Sequence, residues 1–184
     1  LFAPERKRPL PRYAQRIGLI TSSRADAYFD FVKNLVPAGL TVEHADCRVE
    51  GARAVPEIIR AFEWFHARHV DVIVVVRGGG SWESLQAFNN EAVCRAVAGS
   101  RAPVLAGIGH ERDVPLAALA ADRYVSTPSI TAIELGTPWR EAPLIIERAA
   151  RTVRRAVDLW ALRSRDRLNA NAQRVQLHHR RAMT

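Results

Sequence analysis

Cysteine is almost absent: 184 residues hold two, Cys47 and Cys94, far apart and each within an apolar segment. That excludes a disulfide scaffold and a cysteine-rich zinc site, and it favours a reducing compartment. Long apolar runs are missing as well. The strongest, residues 70–76, contains Asp71 and ends at Arg77, well short of the about 18 residues that a membrane helix requires. Residues 1–12 are basic and proline-rich with no apolar stretch behind them, which is not the pattern of a secretory leader. A soluble, cytoplasmic protein with no membrane partner is expected. The sequence also lacks His-Glu-x-x-His, a Walker A motif, a dense carboxylate cluster, internal repeats and low-complexity tracts. A two-metal nuclease built on acidic residues therefore has little support. The chain starts at Leu1 rather than Met, as a piece of a longer protein would.

Lysine is scarce in a chain that is otherwise strongly basic. Lys7 and Lys33 are the only lysines among 27 basic residues, against 19 acidic ones, for a net charge of +8. The charge collects at the ends: residues 1–12 carry net +3, residues 139–184 net +7, and residues 13–138 net −2. Arginine grips phosphate through two N–H groups and stacks on bases, which suits single-stranded nucleic acid. A genome that favours arginine codons produces the same bias. With 48% hydrophobic residues the chain has the apolar content for a real core, and its length fits one α/β domain with an extension.

The middle of the chain alternates short apolar runs with helical patterns. Residues 17–20 read as a buried strand that ends at Thr21, Ser22 and Ser23, and residues 25–35 place Tyr28, Phe31, Val32 and Leu35 at helical spacing. A second strand is expected over 40–47, and an amphipathic helix over 54–69, where Ile58, Ile59, Phe62 and Phe65 share a face. Residues 71–76 are β-branched on both faces, as a central parallel strand would be. Helices near 83–88 and 90–98, a strand over 103–108, a helix over 115–121 and a helix starting near Ile130 follow. This order predicts an open, mostly parallel, doubly wound α/β sheet with helices on both faces. From Leu144 onward Val153, Val157 and Trp160 recur among alanines and arginines, which predicts a C-terminal helical extension, the start of a coiled-coil arm. The expected division is a basic linker over 1–15, an α/β domain over 16–138 and an Arg-rich helical extension over 139–184.

In such a sheet ligands bind beyond the carboxyl ends of the strands. Three strand ends carry polar or glycine-rich loops, at residues 21–24, 77–81 and 107–113, so Arg77, His110 and Asp113 are expected around one crevice. In Arg77-Gly-Gly-Gly-Ser81 the glycines let backbone amides approach an anion, with a fixed cation just before them. Three glycines after a strand also make an ordinary turn. His110 and Asp113, three residues apart, can form an acid–base pair in which the carboxylate orients the imidazole; a charged surface turn has the same composition.

The stretch from Asp71 through Arg77-Gly-Gly-Gly-Ser81 to Phe88-Asn89, and the segment Pro103-Val104 through Gly109-His110-Glu111 to Asp113, resemble the large subunit of exodeoxyribonuclease VII. Residues 4–11, Arg16-Ile-Gly-Leu-Ile-Thr-Ser22, and Ser126-Thr-Pro-Ser129 with Glu134 beyond it extend the likeness from residue 4 to about 138. The resemblance implies an exonuclease that degrades single-stranded DNA from both ends to oligonucleotides, with a small helical subunit docking through the C-terminal helical region. It implies catalytic positions at Asp30, Arg77, His110 and Asp113. Substrate contacts are expected from Thr21, Ser22, Gly78, Gly79, Gly80, Ser81 and Thr127. No metal ligands are assigned and no cofactor is expected to be required, with a divalent cation left open. Two departures stand near the crevice: Ser23-Arg24-Ala25-Asp26 lacks the glycine common after the first strand, and Asp122-Arg123-Tyr124-Val125 replaces or shifts an arginine. Two other readings fit the same residues: a non-catalytic scaffold for single-stranded DNA and a partner, and an enzyme acting on a small phosphorylated molecule.

Overall fold

The apolar runs pair as parallel strands and the amphipathic stretches cover them. The structure, a computed structural model, describes residues 1–37, 39–79, 82–109 and 114–182. Its elements are β1 (Arg16–Thr21), α1 (Asp26–Asn34), β2 (Thr41–Asp46), α2 (Ala54–His66), β3 (Val72–Arg77), α3 (Glu91–Ala98), β4 (Val104–Ile108), α4 (Leu116–Ala120), β5 (Arg123–Val125) and α5 (Pro128–Ala182). Short 3₁₀ helices occupy Pro4–Arg6 and Trp82–Asn89. The five strands form one sheet in the order β2-β1-β3-β4-β5, with every pairing parallel.

Alternation along the strands sorts the core into two layers. Ile20, Ile73, Val75, Val104, Ala106 and Ile108 pack with Phe62 and Phe65 of α2, Val93 and Val97 of α3, and Ala117 of α4. Ile17, Leu19, Val72, Val74, Val76 and Leu105 pack with Phe31 of α1 and with Ala132 and Leu135 near the start of α5. The doubly wound expectation holds, and the side-chain alternation along each strand is its cause. Phe31, Phe62, Phe65 and Phe88 are among the largest fully buried side chains, each worth roughly 1.5–3 kcal/mol relative to exposure. Gly107 admits α5 to the sheet, because a Cβ there would lie 2.6 Å from Thr131 Cγ2 and 3.0 Å from the Thr127 carbonyl oxygen.

Two features differ from the sequence reading. The helix expected over 83–88 is a 3₁₀ helix, and β5, only three residues long, was not anticipated. The basic segment before β1 is tied into the domain. The Arg8 guanidinium donates to both Asp122 carboxylate oxygens at 3.0 and 2.8 Å and to the carbonyls of Ser100, Arg101 and Ala102. Lys7 Nζ donates to the carbonyls of Leu119 and Ala121. Trp139 Nε1 donates to the Ala14 carbonyl at 3.0 Å and its ring meets Tyr13 edge-on.

The chain divides into two compact units, Leu1–Arg140 and Glu141–Thr184. In the second, residues 141–182 are helical, and Val153, Val157 and Trp160 are all exposed. No helix among the described residues is long and apolar enough to cross a membrane.

Candidate functional site

Strand order decides where the site lies. The chain leaves β1 for its neighbour β2, then crosses back to pair β3 on the other side of β1. The reversal opens a crevice at the carboxyl ends of β1 and β3. A cleft of about 690 Å³ occupies that place, lined by residues of the loops after β1, β2 and β3. Of the expected site residues, Ser22, Asp30, Arg77, Gly78 and Gly79 line it together. Gly80, Ser81, His110 and Asp113 lie outside the described residues. Ile108, the last residue of β4, pairs with Arg77, the last of β3, so the chain leaves β4 for Gly109 beside the arginine. Gly109 has φ +88°, a conformation that favours glycine at the turn off the strand.

Arg77 is the buried charge of the site. Its side chain is 7% exposed; Nη1 donates to the Gly78 carbonyl at 2.8 Å and Nη2 to Glu50 Oε2 at 3.0 Å. A desolvated guanidinium requires a counter-charge. Asp26 and Asp30, one helical turn apart on α1, both line the cleft and both are exposed. Arg24 and Arg48 add cations to the lining, although Arg48 is paired to Glu57. Asp46, at the end of β2, holds the loop after β1 by accepting from the Ser23 N–H at 2.7 Å and the Ser23 hydroxyl at 2.8 Å. Chiefly the backbone hydrogen bond from Ser23 keeps the Asp46 carboxyl below its ordinary range.

Two expected substrate contacts are placed differently. Thr21 is fully buried and is not among the residues lining the cleft; its hydroxyl has no hydrogen-bond partner among the described residues. Thr127 Oγ1 accepts the Ile130 N–H at 3.2 Å, so it caps α5, and it does not line the cleft either. Arg48 and Glu50 are lining residues absent from the sequence reading, which names Arg24 and Asp26 only within a departure near the crevice. The loop after β2 was passed over because its neighbours in space depend on strand order. A polar Arg48-Val49-Glu50-Gly51 turn after a strand is the signal that could have found it.

Among the described residues no group of three or more His, Cys, Asp or Glu side chains is placed to hold a metal ion. Both cysteines are buried and free, and burial pushes the Cys47 thiol up to about 12, so it stays protonated and inert.

A family model described as exonuclease VII, large subunit, matches residues 1–184. The exodeoxyribonuclease 7 large subunit of Desulfitobacterium hafniense is 41% identical over 175 residues, which are 92% of this chain and 43% of that protein. That of Thioalkalivibrio sulfidiphilus is 45% identical over 155 residues, 82% of this chain and 34% of its own length. That of Thermobifida fusca is 39% identical over 189 residues, 96% of this chain and 46% of its own. The chain thus spans less than half the length of these relatives. With a family match over all its residues, the chain belongs to the exonuclease VII large-subunit family.

Proposed function

We propose that residues 16–138 form the catalytic domain of an exonuclease that hydrolyses single-stranded DNA from both ends to oligonucleotides. The observation that carries this reading is Arg77, a nearly buried guanidinium at the end of the central strand that lines the cleft with Gly78, Gly79 and Asp30. Arg77 and the glycine amides hold the scissile phosphate and stabilise the charge that develops on its oxygens. His110 exchanges a proton with the attacking water or the leaving oxygen, and Asp113 orients its imidazole. Asp30, on α1, positions water or a cation. The cytoplasm is the setting for this reaction.

Residues 139–184 serve as the arm on which a small subunit docks. Support comes from an exposed apolar set on the helix, Val153, Val157, Trp160 and Leu168, among eleven arginines. The test uses the full-length large subunit assembled with its small subunit, acting on end-labelled single-stranded DNA. Arg77→Ala and His110→Ala are each expected to lower the rate at least about 100-fold, the order of losing one transition-state charge contact. Degradation that survives both substitutions moves the chemistry out of this cleft.

A further inference from the structure

The cation at the switch point is already engaged. Arg77 donates to Glu50, and the Glu50 side chain is 62% exposed where that of Arg77 is 7%. Among the described residues Glu50 is the one charged partner of Arg77, and Arg77 the one ion-pair partner of Glu50. Glu50 belongs to no strand or helix. It stands between β2 and α2 beside Gly51, whose φ is +79° and whose missing Cβ would meet nothing within 4 Å. The carboxylate is therefore on the solvent side of a buried guanidinium, on a turn that no sheet ladder holds.

We propose that Glu50 is a built-in competitor of the substrate's phosphate. Its carboxylate holds, on Arg77, the N–H that a backbone phosphate oxygen takes when a strand enters the cleft, and it leaves as the phosphate arrives. The proposal rests on the reading of this cleft as the site of strand hydrolysis. A buried arginine without a counter-charge is costly, so the empty cleft needs an anion at this place. Glu50 supplies one with a single hydrogen bond. Phosphate brings oxygens that match the guanidinium fork two at a time, and both anions cannot accept the same N–H. A strand that also reaches Arg24 and Arg48 across the cleft has the additional contacts needed to displace the carboxylate. Glu50 thus sets how strongly a phosphate must bind to be accepted.

The test is a double-mutant cycle on binding. The full-length chain, assembled with its small subunit and carrying His110→Ala in every sample so that the probe survives, is titrated with a fluorescent thymidine trinucleotide at fixed salt. Glu50→Gln keeps the shape and removes the charge. It is expected to tighten binding by about threefold to tenfold, the range that one partly exposed ion pair supports. Arg77→Ala is expected to weaken binding by about tenfold or more, and Glu50→Gln added to Arg77→Ala to change it less than about twofold. Weaker or unchanged binding on Glu50→Gln overturns the proposal, since Glu50 would then position Arg77 rather than compete for it. Equal tightening with and without Arg77 overturns it too, leaving general repulsion. Unchanged binding on Arg77→Ala alone sinks the reading of the cleft itself.

Discussion

Two arginine–carboxylate pairs lie at opposite strand ends of one sheet, and they are built differently. At the amino ends of β4 and β5, Asp122 is the buried partner with 7% side-chain exposure, and Arg8 is the more exposed at 36%. Asp122 accepts from the Arg8 guanidinium, the Arg8 N–H and the Val104 N–H, and Arg8 uses its remaining donors on three backbone carbonyls. At the carboxyl end of β3 the burial is reversed: the cation is enclosed, and Glu50 makes one bond from the solvent side. A pair saturated on both sides is a fastening, whereas the competition proposed for Glu50 needs a buried cation whose anion can be replaced. Charge type and bond length are nearly the same in the two cases. Burial and the number of remaining partners tell them apart.

The sharpest way to break the comparison is to remove the carboxylate from each pair. Asp122→Ala leaves the Val104 N–H and much of the Arg8 fork without acceptors. It is expected to cost about 2–4 kcal/mol in urea unfolding, somewhat less than a fully buried pair because Arg8 is partly exposed. Glu50→Ala leaves the buried Arg77 without its carboxylate, but Glu50 makes one bond and is mostly solvated, so a smaller cost of about 1–2 kcal/mol is expected. Similar losses at the two positions would show that Glu50 is a fastening as well.

Between those two effects lies a packing change with no charge. Gly107→Ala drives a methyl into Thr131 and the Thr127 carbonyl, and about 1–3 kcal/mol of overpacking is expected from thermal or urea unfolding. Little or no loss there would mean that the start of α5 yields easily.

Acid sharpens the contrast more gently. Burial works against the charged form of Asp122, but the hydrogen bonds from Arg8 and Val104 outweigh it and hold the carboxyl below its ordinary value. A group depressed in the folded state stabilises the protein above its unfolded pKa of about 3.9, and that stabilisation is lost as pH falls through the folded value. Asp122→Asn should therefore flatten the decline of stability between about pH 5 and the acid limit. An unchanged slope would assign the acid sensitivity to other groups, Asp46 first among them, since its carboxyl is depressed in the same direction.

Much of the fold was legible in the chain. The periodicity of Ile58, Phe62 and Phe65, and the unbroken β-branched run before Arg77, mark α2 and β3 without reference to anything distant. β5 was not legible, because Arg123-Tyr124-Val125 has no apolar pattern and becomes a strand through its ladder to Leu105, Ala106 and Gly107. The site divides in the same way. Arg77 and its glycines announce themselves as a cation and flexible backbone after a strand. Thr127 has the composition of a site residue, yet its hydroxyl caps α5.

The sequence by itself determined the α/β alternation, the arginine-rich C-terminal segment and the family, because each is written in local spacing or in contiguous motifs. Only the tertiary structure decided that β2 lies outside β1 and that residues 48–50 therefore line the cleft with Arg77, Glu50 in contact with it. It also decided that Arg8 is bound to Asp122, 114 positions away in the chain, rather than free to meet nucleic acid. Those outcomes depend on which surfaces the sheet brings together, and burial, not residue type, then settles what each charge does.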